Sequence, residues 1–350
     1  MLNLKSKYKK PAKTGLINIE DNSYLNAVLQ CFGNIYNIAN YFLDQNNADK
    51  INNNMANNIN PLSFVIDRLF LHFYPYPEKA EREKYSPENI FKILFTMSTF
   101  RPNRNIPSDF LVFLLDKLHQ ELNENKGNKS IVINKSNQPE MIIKNEIENF
   151  QHINNSIISN NFNWFGLKES YCTQCNNPDY QFKTFNTFDL NISKYYQNNK
   201  KDDTKIYDCL EYRKMQNIEK KRCDNCKNIC NYKVNNRIYN SPNIFAFILD
   251  REDLNEDLMK IPFIIEEYIN LNNYIEDEKS IKEYVLIGVV SISLRERKYI
   301  GFSKSIIDNK WYLYNDTKVN EISIDFILKS HNQYNYYIPC ILFYDSFNGN

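Results

Sequence analysis

The sequence predicts an α+β fold, with helices in the first third of the chain and strands after it. Three observations point there. Apolar residues recur at helical spacing up to residue 122, and beyond residue 148 they fall in short β-branched and aromatic runs. Two Cys-x-x-Cys pairs lie within the second part, where folding has to bring them together. Helices followed by strands, rather than alternating with them, argue against a parallel doubly wound sheet.

The elements follow in order. Residues 1–14 carry Lys5, Lys7, Lys9, Lys10 and Lys13 and no acidic residue, which predicts a solvated basic arm. An organelle presequence fits it less well, because the segment has no Arg and Pro11 interrupts it. Leu25, Val28, Leu29 and Phe32 form one buried helix face beginning near Asn22 or Ser23. The Asn-rich stretch 45–60 is expected to be a loop. Leu62 to Phe73 and Pro87 to Phe95 have helical patterns, and Phe110, Phe113, Leu114, Leu118 and Leu122 mark an amphipathic helix. A polar linker is expected over 123–150. Strands are predicted at Asp179 to Ile192, Arg237 to Leu249, Tyr284 to Ser293, Tyr299 to Ser303, Trp311 to Tyr314 and Tyr336 to Tyr344, spaced as in an antiparallel sheet.

Composition narrows the function classes. A chain of 350 residues, 42% hydrophobic, suffices for one large domain or two packed subdomains. Its net charge of +1 leaves no protein-wide basic field, so nucleic acid is expected only indirectly or through the basic arm. Without a run of 18 apolar residues or a signal-peptide core, the chain is expected to be soluble and intracellular, with no membrane partner. Cytoplasm or nucleus is favoured over an organelle.

Eight cysteines in a reducing compartment point to metal rather than to disulfides. Cys172 and Cys175 form one pair and Cys223 and Cys226 the other; Cys31, Cys209, Cys230 and Cys340 fall outside any such spacing. Each pair offers two thiolates that converge on one tetrahedral ion, which predicts a structural zinc site. A closed four-sulfur site has no open coordination position and stabilises rather than catalyses. Four core cysteines fit less well, since polar Asn, Lys and Asp flank both pairs. Thioredoxin-like chemistry would need one pair at a helix start.

Several segments together resemble the ubiquitin-specific proteases, the papain-like cysteine peptidases with thumb, palm and fingers. Gly15 to Gln30 is similar to the family's cysteine box, G-L-x-N-L-G-N-T-C-Y-x-N-x-x-L-Q, with Ser23 where the family has its nucleophile. Asp109 to Leu122 is similar to the E-F-L-x-x-L-L-D-x-L-H-x-x-L helix, although Arg104 to Pro107 replaces the Gln-Gln-Asp-Ala that leads into it. The two cysteine pairs match the zinc knuckles of the fingers. Pro242 to Arg251 and Tyr268 to Tyr274 resemble the strands that follow. Lys298 to Phe302 and Lys310 to Val319 resemble the histidine box, with Lys298 where the catalytic histidine belongs. The terminal strand matches at Tyr336 to Tyr344. The resemblance implies a domain over 15–345: helical thumb 15–122, linker 123–150, fingers 151–240 and palm 241–345, with a tail at 346–350.

It also implies roles for a site that the two changed residues disable. A papain-like centre needs a histidine to take the thiol proton. Ser23 has the less acidic hydroxyl, and the four histidines, His72, His119, His152 and His331, stand outside the matching positions. A Ser23–Lys298 dyad would need a neutral lysine, hence a pKa depressed by roughly three units. Asn18 stands at the oxyanion-donor position and Asn315, with Asp316 beside it, where the family orients its histidine; Asn18 can equally hold a loop, and Asn315 and Asp316 a tight turn. The expected function is therefore a catalytically inactive member that binds a protein partner, ubiquitin or subunits of a larger assembly, with zinc as its cofactor. The cysteine box also resembles that of the family's inactive spliceosomal members over Asn18 to Gln30. The alternative is an active hydrolase with an atypical Ser23/Lys298 site.

Overall fold

A computed structural model describes residues 4–8, 10–57, 61–75, 84–96, 106–130, 139–214, 217–251, 259, 261–333 and 336–347. Helices dominate as far as residue 162: α1 (Leu4–Lys7), α2 (Ser23–Gly33), α3 (Tyr36–Leu43), α4 (Gln45–Asn57), α5 (Leu62–Phe73), α6 (Glu88–Thr96), α7 (Pro107–Leu122), α8 (Pro139–Ile153) and α9 (Ser159–Phe162). Two-residue strands β1 (Gly15–Leu16) and β2 (Lys84–Tyr85) pair in parallel among them. The second part holds β3 (Trp164–Cys172), β4 (Pro178–Phe185), β5 (Phe188–Asp189), α10 (Ile192–Asn199), α11 (Ile206–Lys214), β6 (Asn217–Arg222), β7 (Ile229–Asn240), β8 (Ile244–Ile248), β9 (Tyr268–Asn270), β10 (Glu283–Ser293), β11 (Lys298–Lys304), β12 (Trp311–Asn315), β13 (Lys318–Ile322), α12 (Ile324–Asn332) and β14 (Tyr337–Ser346). The arrangement is α+β, as the sequence predicts.

The larger sheet runs β13-β12-β11-β10-β14-β8-β5, antiparallel except for the β5–β8 pair, with β9 against β10. The smaller runs β4-β3-β7-β6 and is antiparallel throughout. Helix α2 lies on β10 and β11, and all eleven of its residues are buried. That approach depends on a glycine: a Cβ on Gly301 would meet the Ala27 carbonyl oxygen at 3.0 Å. Further along, the Cys31 thiol donates to the carbonyls of Val289 and Phe302 at 3.6 and 3.5 Å. One apolar cluster fills the space between the helices and this face of the sheet; a second covers the opposite face beneath α10, α11 and α12.

Three expectations change. The N-terminal arm is not a free basic tail, because its apolar residues dock: Leu4, Tyr8 and Ala12 are buried, and the Ala12 carbonyl accepts from the Tyr314 hydroxyl at 2.9 Å. Residues 45–57 are helical rather than a loop; buried Ile51 anchors α4, and packing overrides the poor helix propensity of Asn. Residues 58–60 lie outside the described set. The expected linker is largely α8, with Ile143 buried and Phe150 edge-on to Phe165. Its two ends are tied together, since the Asn123 side-chain amide donates to the Ile153 carbonyl at 2.9 Å; residues 131–138 again lie outside the described set.

Candidate functional site

Four segments converge at the start of α2. Helix α2 begins with Ser23, whose side chain is 5% exposed. The Ser23 hydroxyl oxygen accepts a hydrogen bond from the Tyr299 backbone N–H, on β11, at 3.2 Å. Next along that strand, Lys298 turns to the β12–β13 hairpin. Its ammonium donates to Asp316 Oδ2 at 3.0 Å and lies 3.4 Å from Glu296 Oε2, in the β10–β11 turn. Among the described residues no hydrogen bond joins Ser23 to Lys298.

Asp316 is the hub. Besides Lys298, its carboxylate accepts from the Asn18 side-chain amide at 3.2 Å and from the Asn26 amide at 2.9 Å. Its carbonyl accepts the Leu16 N–H at 2.9 Å. Gly15 is needed for this contact: a Cβ there would lie 2.4 Å from the carbonyl oxygen of Thr317 in the same turn. The turn itself is tight, with Asn315 opposite Lys318 and Asp316 left-handed at φ 52°. Asp adopts that conformation more readily than most residues.

Asn315 does something else. Its side-chain amide donates to both carboxylate oxygens of Glu296, at 3.0 and 3.1 Å. That bond, with the Lys298 charge behind it, holds the Glu296 carboxyl below its ordinary range. For Lys298, partial burial works to lower the pKa, but the hydrogen bond to Asp316 and the charges of Asp316 and Glu296 outweigh it. The net shift is upward, opposite to what a lysine base requires.

The histidines are engaged elsewhere. His331 is buried between α12 and β10, with Nδ1 donating to the Ile327 carbonyl at 2.7 Å and Nε2 2.8 Å from the Ser291 hydroxyl. Burial pushes its pKa down to about 4. The His119 ring nitrogens meet Ser156 and Asn154 at 2.7 and 2.9 Å, and the His72 ring lies against Tyr85.

The cysteine pairs occupy the tips of two adjacent hairpins. The first joins β3 to β4 and the second β6 to β7, and β3 pairs with β7 so that Cys172 lies opposite Tyr232. The two knuckles repeat one geometry. In the first, Cys172 N–H donates to the Asn177 carbonyl and Asn176 N–H to the Cys172 carbonyl; in the second, Cys223 N–H donates to Asn228 and Lys227 N–H to Cys223. Asn176 and Lys227 are both left-handed, at φ 54° and 60°. The four sulfurs lie within 4.8 Å of one another, with Cys175 and Cys223 at 3.5 Å and Cys172 and Cys226 at 3.9 Å. Zinc–sulfur bonds of about 2.3 Å imply sulfurs about 3.8 Å apart at tetrahedral corners. The residues fit a structural zinc ion.

Comparison with known proteins settles the family. The model of a family described as ubiquitin carboxyl-terminal hydrolase matches residues 14–344. The chain belongs to this family. A probable ubiquitin carboxyl-terminal hydrolase 16 of Schizosaccharomyces pombe is 24% identical over 91% of the chain, and ubiquitin carboxyl-terminal hydrolase 8 of Saccharomyces cerevisiae 23% identical over 90%. The aligned region spans 65% and 68% of those relatives' own lengths. Among solved structures, a SAGA DUB module bound to monoubiquitin superposes with a TM-score of 0.68 at 19% identity, covering 98% of this chain and 71% of that one. A yeast SAGA DUB module gives 0.67 at 21% identity.

The fold thus gathers Lys298, Asn18, Asn315 and Asp316 within one network that includes Glu296, while Ser23 stands beside it, held to the Tyr299 backbone next to Lys298. Asp316 rather than Asn315 holds Lys298. Sequence reasoning missed Asn26, Glu296 and, at the zinc knuckles, Cys230. The Lys298–Asp316 contact depends on the β11–β12 register: Gly301 lies opposite Tyr314, and extending that pairing sets residue 298 beside the 316–317 turn, a register that the residues alone do not fix. Cys230 gave no signal, because its distance from Cys226 in sequence is not that of a knuckle.

Proposed function

We propose that this chain is a catalytically inactive member of the ubiquitin carboxyl-terminal hydrolase family, and that it acts by holding a protein partner. The observation that carries the proposal is the Lys298–Asp316 ion pair. A lysine so paired stays an ammonium at neutral pH and has no lone pair with which to take the Ser23 proton. The Ser23 oxygen already accepts the Tyr299 N–H, and none of the histidines reaches it.

The surrounding groups support the same reading. Asn18, at the oxyanion-donor position, spends its amide on Asp316. An acyl-transfer transition state would then develop its negative charge close to an existing carboxylate, the opposite of what an oxyanion hole supplies. The roles carried over from the family's motifs therefore become structural ones here: Asn18, Asn315 and Asp316 fasten the two hairpin turns to the start of α2. Cys172, Cys175, Cys223 and Cys226 hold zinc, and the zinc holds the smaller sheet as fingers beside the palm.

Ubiquitin is the partner we infer, inside the cell, since the related SAGA DUB module was solved with monoubiquitin on a fold of this kind. Among the described residues no helix is long and apolar enough to cross a membrane. Titration of the zinc-loaded chain with monoubiquitin, together with incubation with ubiquitin carrying a C-terminal amide leaving group, tests the proposal. Saturable binding without loss of a C-terminal ubiquitin leaving group is the expected result; no binding at all would transfer the partner's role to a subunit of a larger assembly.

A further inference from the structure

A fifth cysteine stands against the zinc knuckles. Cys230, on β7, is 2% exposed and packs in one small cluster with Cys172, Cys223, Tyr232 and Val234. Its sulfur lies 3.4 Å from that of Cys226, closer than Cys175 lies to Cys223 or Cys172 to Cys226. It lies outside the group of four that are mutually within 4.8 Å. Zinc holds four sulfurs in a closed site, so one of the five must be off the metal.

Gln174 makes the arrangement more than crowding. Its side-chain oxygen is 3.2 Å from the Cys230 sulfur and 3.9 Å from the Cys226 sulfur, so it accepts a hydrogen bond from either thiol. Whichever of the two is not bound to metal carries its proton and finds an acceptor there. The two sulfurs also differ in support. Cys226 is half-exposed in the knuckle loop, whereas Cys230 is buried on a strand paired on both sides.

We infer that Cys230 is a spare zinc ligand that exchanges with Cys226 for the fourth coordination position. In the exchange the Cys230 sulfur bonds to the ion as the Cys226 sulfur leaves it, and the proton of the Cys230 thiol ends on Cys226. Charge and ligand number are unchanged. The site then keeps its metal when the half-exposed Cys226 is alkylated or oxidised. This inference rests on the zinc reading, and metal analysis of the unmodified protein checks that reading separately.

The test compares the full-length parent with the variants C226S, C230S, C226S/C230S and C175S by zinc content per chain. It also compares the intensity of the sulfur-to-metal charge-transfer band after cobalt substitution. C226S is expected to keep the parent's zinc content and four-sulfur band, while C226S/C230S loses the fourth sulfur and binds metal at least tenfold more weakly. C175S, whose sulfur pairs with Cys223 while Cys230 lies against Cys226, is expected to behave like the double variant. C226S as depleted as C226S/C230S, or a three-sulfur band in C226S, would overturn the inference. Should C226S fail to fold, partial alkylation of the zinc-loaded parent decides the matter. Zinc-retaining chains with a single label should carry it on Cys226 in some molecules and on Cys230 in others; label on Cys230 alone would contradict exchange. A parent that holds no zinc would overturn both readings.

Discussion

Replacing Asp316 by Asn and Lys298 by Met, singly and together, measures the contact on which the proposed inactivity rests. Asn suits position 316 because it tolerates the left-handed backbone of the turn, φ 52°, and removes only the charge. The Asp316 side chain is 9% exposed and accepts three side-chain hydrogen bonds, one of them from an ammonium. Hydrogen bonds to charged groups contribute about 1.5–3 kcal/mol each when one partner is removed, and they do not add fully. Lys298 is 27% exposed, so solvent screens its share. D316N is therefore expected to cost about 2–3 kcal/mol, K298M about 1 kcal/mol, and the cycle to show a coupling of about 1–2 kcal/mol. Urea midpoints at constant m-value, read at pH 7.5 and moderate salt, supply the four free energies. Additive single variants, with a coupling below about 0.3 kcal/mol, would refute the claim that Asp316 holds Lys298.

Two further predictions follow from groups outside that network. Removing zinc with a chelator, or replacing Cys223 by Ser, is expected to strip hydrogen-exchange protection from β3, β6 and β7, while α2 and β10 stay protected, because the knuckles tie only the smaller sheet. Equal loss in both regions would show that the zinc site stabilises the whole molecule as one unit. His331, with its pKa near 4 in the fold against an ordinary 6.5, leaves the unfolded chain binding the extra proton between those values. Stability should fall as pH drops through that window, by about 3 kcal/mol in total for this group. Asp345, raised to about 6 by burial, acts in the opposite sense, losing stability as pH rises from its ordinary value. The difference between parent and H331Q isolates the histidine: it should shrink steadily from pH 6.5 to pH 4, and a pH-independent difference would show that His331 does not titrate on unfolding.

Much of this was legible in the residues. The face made by Leu25, Val28, Leu29 and Phe32 gave α2 within a residue of its start, and Leu62–Phe73 matched α5. β10, β11, β12 and β14 came out within two residues, because each packs a strongly β-branched or aromatic face; β13 was not predicted, and the strands expected at Arg237 to Leu249 and Asp179 to Ile192 ran β7 into β8 and β4 into β5. β3 was missed because Gly166, Lys168 and Glu169 break the pattern, and its pairing on both sides, rather than its own preference, makes it a strand. Helix α4 was missed for the converse reason: its Asn-rich sequence argues for a loop, and it is the burial of Ile51 that argues against one. That Ser23 and Lys298 stand where the family's motifs have cysteine and histidine was visible from the motif. What each changed residue binds was not, because Asp316 meets Lys298, and Glu296 meets Asn315, only through hairpin register, and Asn26 reaches Asp316 only once α2 packs beside that turn.

The central claim is that this member of the family holds its partner without cutting it, because two positions in two motifs have both changed. Hydrolysis of ubiquitin carrying a fluorogenic C-terminal amide tests it most directly, in the parent, S23C, K298H and S23C/K298H. The account predicts no turnover above background by the parent or by either single variant, and turnover confined to the double variant. Turnover by the unmodified chain, abolished by S23A, would contradict it.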